Sequence, residues 1–115
     1  MEMSDQVFAN GLARTVTFVT GNPATAAANE IIAAVAATKY RVLAVYMHAT
    51  GGANTATWKS ATTAISGANA LLADTPVVLP YSPVGWFQTA AAEALNLTLS
   101  AATAVAVNVV YIAIT

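Results

Sequence analysis

His48 is the only histidine, in a chain that has no cysteine. A catalytic imidazole needs a nucleophile and an orienting carboxylate, and a metal-bound one needs further His, Cys or acidic ligands. The acids nearest in sequence, Glu30 and Asp74, stand at no motif spacing from it. His48 is therefore read as a structural or surface residue. The five acids, Glu2, Asp5, Glu30, Asp74 and Glu93, are scattered, so only the fold could assemble a carboxylate pair for general acid–base work. Gly51-Gly52 lacks the frame of a dinucleotide or phosphate loop and reads as a turn. Lys59 beside Trp58 is isolated, and a net charge of -1 leaves no basic stripe for nucleic acid. On these grounds the chain reads as a non-enzyme with no cofactor, no metal and no nucleic-acid partner.

The aromatic residues offer a different chemistry, that of contact. Residues 77–89 read VVLPYSPVGWFQT, a charge-free stretch holding two of the four prolines and the only Trp-Phe pair. Pro80 and Pro83 restrict the backbone. Trp86 and Phe87 are adjacent, so in a strand they point to opposite faces. The expectation is a stiff corner that delivers one ring inward and the other outward. Tyr81, Trp86 and Phe87 are the candidate partner-contact residues, because Trp and Tyr dominate interface hot spots. A flat aromatic loop also suits a sugar ring. Trp58, within an alternating stretch, is expected in the core.

Composition says what must carry these residues. A length of 115 residues suits one domain. Charged residues make up 8% of the chain, where ordinary soluble domains have about 25%. The 28 Ala and 15 Thr must supply much of the outside. Such a neutral surface is weakly hydrated and suits lying against another protein, as in an oligomer or a shell. Without cysteine there are no disulfides. The start of the chain carries Glu2 and Asp5 and does not read as a signal peptide. Of two charge-free spans, 75–92 and 94–115, the second has membrane length. It alternates Leu95, Leu97 and Leu99 with Asn96, Thr98 and Ser100, which is strand behaviour, and no membrane partner is expected.

Alanine favours helix, but Val, Thr and Ile are interleaved with it almost everywhere, and β-branched residues favour strands. Turn signals recur at Gly21-Asn22-Pro23, Gly51-Gly52, Gly67, Asp74-Thr75-Pro76, Ser82-Pro83 and Gly85. Strands are expected over 14–20, 29–36, 41–49, 55–60, 63–66, 77–79, 86–89, 95–100 and 105–114. Segment 29–36 is the best helix alternative, and 90–95 would serve as one helical turn. Eight or nine short antiparallel strands describe an all-β, jelly-roll-like β-sandwich over residues 14–115, preceded by an N-terminal arm, 1–13. In 41–49, strict alternation puts Val42, Ala44, Tyr46 and His48 on one face and Leu43, Val45 and Met47 on the other. Both faces are apolar, as they are in 105–114, so something must cover the outer one.

Residues 40–67, YRVLAVYMHATGGANTATWKSATTAISG, and 79–114, LPYSPVGWFQTAAAEALNLTLSAATAVAVNVVYIAI, resemble a group of small structural proteins of tailed bacteriophages and prophages. The shared features are the strand opening at Lys39, the WKS stretch, the PVGWF corner, EALNLTLS and a Val-rich last strand. The pattern often has glycine before Glu-Ala-Leu, where this chain has Ala92. The resemblance implies a capsid decoration or cement protein, made in the host cytoplasm and placed on the capsid exterior of the virion. Its implied partners are the major capsid protein and further copies of itself, a trimer being favoured. A head-fibre base, a neck or tail component, and a carbohydrate-binding module using Tyr81, Trp86 or Phe87 are the alternatives.

Overall fold

A computed structural model describes residues 6–9 and 11–115. Among them are eleven strands and no helix: β1 (Gln6–Ala9), β2 (Leu12–Gly21), β3 (Ala28–Ile32), β4 (Lys39–Ala49), β5 (Asn54–Ser60), β6 (Thr63–Ala64), β7 (Asn69–Leu71), β8 (Val77–Leu79), β9 (Phe87–Gln88), β10 (Leu95–Leu99) and β11 (Val105–Ile114). The first sheet runs β1-β2-β11-β4-β8, with β9 also on the free edge of β4; the second runs β3-β10-β5-β6, with β7 also on β5. All named pairings are antiparallel. Chain-early strands pair with chain-late ones, β2 with β11 and β3 with β10, while β2 to β5 alternate between the sheets. That doubled-over path makes a jelly roll, so the expected β-sandwich is the fold.

The strand count exceeds the expected eight or nine. β7 went unread because Asn69-Ala70-Leu71 is too short to show a period. β1 lies inside the segment expected as an arm and pairs with β2 from Gln6↔Thr15 to Ala9↔Leu12. The rest of residues 1–10 lies outside the described residues. The helix alternative at 29–36 is excluded, since β3 covers its first half and the rest runs irregularly into a turn at Ala36-Ala37. Segment 90–95 forms a turn, not a helical one, and leads directly into β10.

The core lies between the sheets. Val45, Met47, Val105, Val107 and Val109 face Ala56, Trp58, Leu95, Leu97 and Leu99 across it. Trp58, wholly buried, stacks on Phe87 with centroids 5.7 Å apart and planes at 30°, joining β5 of one sheet to β9 of the other. Asn54 ties the end of the sandwich. Its Oδ1 accepts from the amides of Thr55 (2.8 Å), Ser100 (3.1 Å) and Ala101 (3.1 Å). Its Nδ2 donates to the carbonyls of Ala101 (3.0 Å) and Thr103 (3.1 Å). The accessible surface, 5,924 Å², matches the roughly 5,900 Å² of a compact 11.7 kDa monomer. The sandwich is closed, so apolar groups on its outside are not the result of an incomplete core.

One expectation about faces is corrected. The register of β4 on β11 shifts between Tyr111↔Val42 and Val110↔Ala44, leaving Leu43 as an extra residue. This β-bulge breaks the alternation. Val42 therefore faces the core together with Val45 and Met47, and Leu43 joins a second buried cluster with Ala9, Ile112 and Ile114 on the other side of the sheet.

Candidate functional site

The bulge is also where the aromatic corner attaches. Between β8 and β9 the chain leaves β4, and its amides return to it: Ser82 donates to the Leu43 carbonyl at 2.9 Å and Trp86 to that of Val42 at 2.8 Å. The corner is closed on itself by the Trp86 Nε1 donating to the Pro80 carbonyl at 2.7 Å and the Gly85 amide donating to that of Ser82 at 3.0 Å. Gly85 has a φ of +91°, and a Cβ there would stand 2.5 Å from the Arg41 Cγ and 3.2 Å from the Val42 carbonyl oxygen. Only glycine fits both the backbone and the space.

The three sequence candidates part company at this corner. Phe87 turns inward onto Trp58 and is half-buried. Trp86 and Tyr81 remain exposed, as does Val84. The expected division of one ring in and one out therefore holds, with Phe87 the inner.

Tyr81 does not stand alone. It leans over the outer face of the first sheet, beside Phe18, Ala44, Tyr46, Val78 and Val110. Strand register builds this patch. Phe18, Val110 and Ala44 form one cross-strand row, and Thr20, Asn108, Tyr46 and Val78 the next. Phe18 is 61% exposed and Tyr81 57%. Phe18, Tyr46 and Val78 were not singled out from the sequence as contact residues. The usable signal was the doubly apolar character of 41–49 and 105–114, which shows that an apolar outer face exists but not which rings rise from it. None of the residues in the patch is charged. Covering about 400 Å² of such surface contributes on the order of 10 kcal/mol before ordering costs.

His48 lies at the margin of the same face, half-buried, edge-on to Tyr46 with ring centroids 6.0 Å apart. Among the described residues no three His, Cys, Asp or Glu side chains come together as a metal site. A cleft of about 630 Å³ at one end of the sandwich holds Lys39, Ser60, Gln88 and Glu93. There the Ser60 hydroxyl donates to Glu93 at 2.5 Å and accepts from the Ala90 amide at 2.9 Å. This clasp fixes the turn before β10. It presents one carboxylate without a second acid or an imidazole in the cleft, which is not a pair for acid–base work. Lys59, flagged beside Trp58, projects from the outer face of the second sheet in a row with Asn96 and Glu30. Among the described residues no helix is long and apolar enough to cross a membrane.

Tyr40, at the start of β4, has a displaced titration. Burial raises its pKa above the usual tyrosine value, and the neighbouring Tyr111 adds to the effect. The two rings meet edge-on at 5.6 Å, and the Tyr40 hydroxyl donates to the Ala33 carbonyl at 2.7 Å. This arrangement is a core anchor.

No family model matches the chain, and neither a curated protein nor a solved structure gives a significant match.

Proposed function

We propose that the chain is a non-enzymatic structural protein of a tailed-phage or prophage virion, a decoration or cement protein acting as a homo-oligomer on the capsid exterior. The observation that carries this reading is the uncharged aromatic face and corner, set on a closed jelly roll. A contiguous apolar surface of this kind on a closed domain marks a contact surface. Covering it contributes on the order of 10 kcal/mol before ordering costs, which supports a lasting association. The mechanism is mechanical: added contact area between neighbouring capsid subunits resists the pressure of the packaged genome. In this reading Val84 and Trp86 of the exposed corner, with the N-terminal segment 1–13, reach the major capsid protein. Jelly rolls serve in viral shells and also in lectins, so the fold alone does not choose between them.

The test is co-sedimentation of the purified protein with heads that lack it, from the phage or prophage whose genome encodes the chain. Saturable binding that is lost in Trp86→Asp is expected, and truncation of residues 1–13 should weaken it. No binding to heads counts against the reading. Binding to tails or necks alone would move the protein to another virion element. The carbohydrate reading draws on the exposure of Tyr81 and Trp86. A glycan array on which wild type binds and Trp86→Ala does not would favour it.

A further inference from the structure

Phe18 and Tyr81, both more than half exposed, rise from the outer face of the first sheet between two hollows. One hollow, of about 460 Å³, lies on the β2 side against Gln6, Val16 and Thr17. The other, of about 220 Å³, is floored by Ala44 and Val110 and walled by Tyr46, Val78 and Pro80. Both hollows are bounded by Phe18, Tyr81 and Val110. An apolar cavity of roughly 150 Å³ already accepts a benzene ring, so the smaller hollow has room for one aromatic side chain. The same face thus carries a ring-sized knob and a ring-sized hole, side by side.

We propose that this face pairs with the same face of a second copy about a two-fold axis, the Phe18 ring of each copy seated in the smaller hollow of the other. A two-fold contact must be self-complementary, and a knob beside its own hole meets that requirement. Charge permits it as well. No residue bounding either hollow is charged, so placing the patch against its own image sets no charge against its like. Area is sufficient. With Phe18, Tyr46 and Tyr81 each offering a large part of their roughly 200 Å², the patch amounts to about 400 Å² per copy. Both copies together then bury about 800 Å² at the centre, and a polar rim of about half that area reaches the ~1,200 Å² of a stable interface. A three-fold ring, as the resemblance suggests, needs two different complementary surfaces. Here knob and hole share one, which closes the assembly at two. The pairing deepens the reading of a self-associating structural protein and leaves the corner beyond Tyr81, with Val84 and Trp86, open to a shell.

Sedimentation equilibrium on the purified chain tests it. Wild type at micromolar concentration is expected at twice 11.7 kDa. Phe18→Glu should weaken pairing by about 30-fold or more, the loss typical of a hot spot. Ala44→Trp, which fills the hollow from below, should do the same. Val84→Glu, an exposed corner position (79%), should keep the two-chain mass. Circular dichroism confirms the fold of each variant, and either hollow variant that folds suffices for the test. A monomeric wild type at about 100 micromolar, a three-chain mass, or a two-chain mass that survives in the folded hollow variants would overturn the proposal. The measurement needs no capsid, so it stands or falls apart from co-sedimentation with heads.

Discussion

The two outer faces of the sandwich share one strand geometry and one scarcity of charge, yet they are finished differently. The second sheet turns Thr55, Thr57, Asn96, Thr98, Glu30 and Lys59 outward, in regular cross-strand rows. Hydroxyls, amides and two charges of opposite sign, Glu30 and Lys59 on either side of Asn96, suffice for solvent. The first sheet turns Phe18, Tyr46, Val78 and Val110 outward, and the corner adds Tyr81. A bulge, a left-handed glycine and a proline-bounded loop hold that arrangement in place. The difference teaches that a low charge count does not make a surface adhesive by itself. Neutral polar groups in register finish one face for water, and aromatic rings in register leave the other apolar.

The largest expected effect strikes beneath both faces alike and so sets the baseline for the comparison. Trp58→Ala empties the contact between β5 and β9 and should cost about 4 kcal/mol in urea denaturation. Gly85→Ala breaks only the first side. Left-handed strain and the clash with Arg41 and the Val42 carbonyl should cost about 2 kcal/mol. Hydrogen exchange should quicken over β8, the corner and β9, while the amides of β5 and β10 keep their protection. Next comes a change outside both faces. Ala92 has a φ of +62° and its amide donates to the Thr38 carbonyl at 3.0 Å, so the tight turn exists with alanine where the phage pattern often has glycine. Ala92→Gly should stabilise by about 0.5–1 kcal/mol, read as a higher urea midpoint. Alkali gives a smaller effect and acts on the first sheet, whose β4 and β11 supply Tyr40 and Tyr111. Tyr40 titrates higher folded than unfolded, so its stabilisation is complete below about pH 10 and is lost as pH rises through the raised native value. Tyr40→Phe should flatten that part of the stability curve. Smallest of all, Thr57→Glu on the second face should change stability by no more than about 0.5 kcal/mol and leave the sedimenting mass as it was.

Much of this was legible in the residues. Alternation of Leu95, Leu97 and Leu99 with polar neighbours placed β10, and the turn signals separated most of the strands. The Pro80–Gly85 punctuation and the adjacent Trp86 and Phe87 announced the corner. What escaped has physical reasons. Alternation carried along 41–49 cannot anticipate a bulge, because the extra residue, Leu43, is as apolar as its neighbours. Asn54 carries no motif of its own, and its five backbone partners, on its own strand and on the loop before β11, are brought together only by the fold. Phe18 shares an alternating face with Val16, and nothing within 14–20 says whether that face meets the core or the exterior. Register settles it, by pairing Phe18 with Val110 and Val19 with the core residue Val109.

The central claim is that one outer face is covered in the working molecule and the other is not. Nuclear magnetic resonance with a soluble nitroxide reads this directly, through the loss of side-chain signal at exposed positions. At a concentration where the chain is associated, Phe18, Tyr46 and Val110 should keep their signals while Thr57 and Glu30 are bleached. Equal bleaching of the two faces would contradict the account.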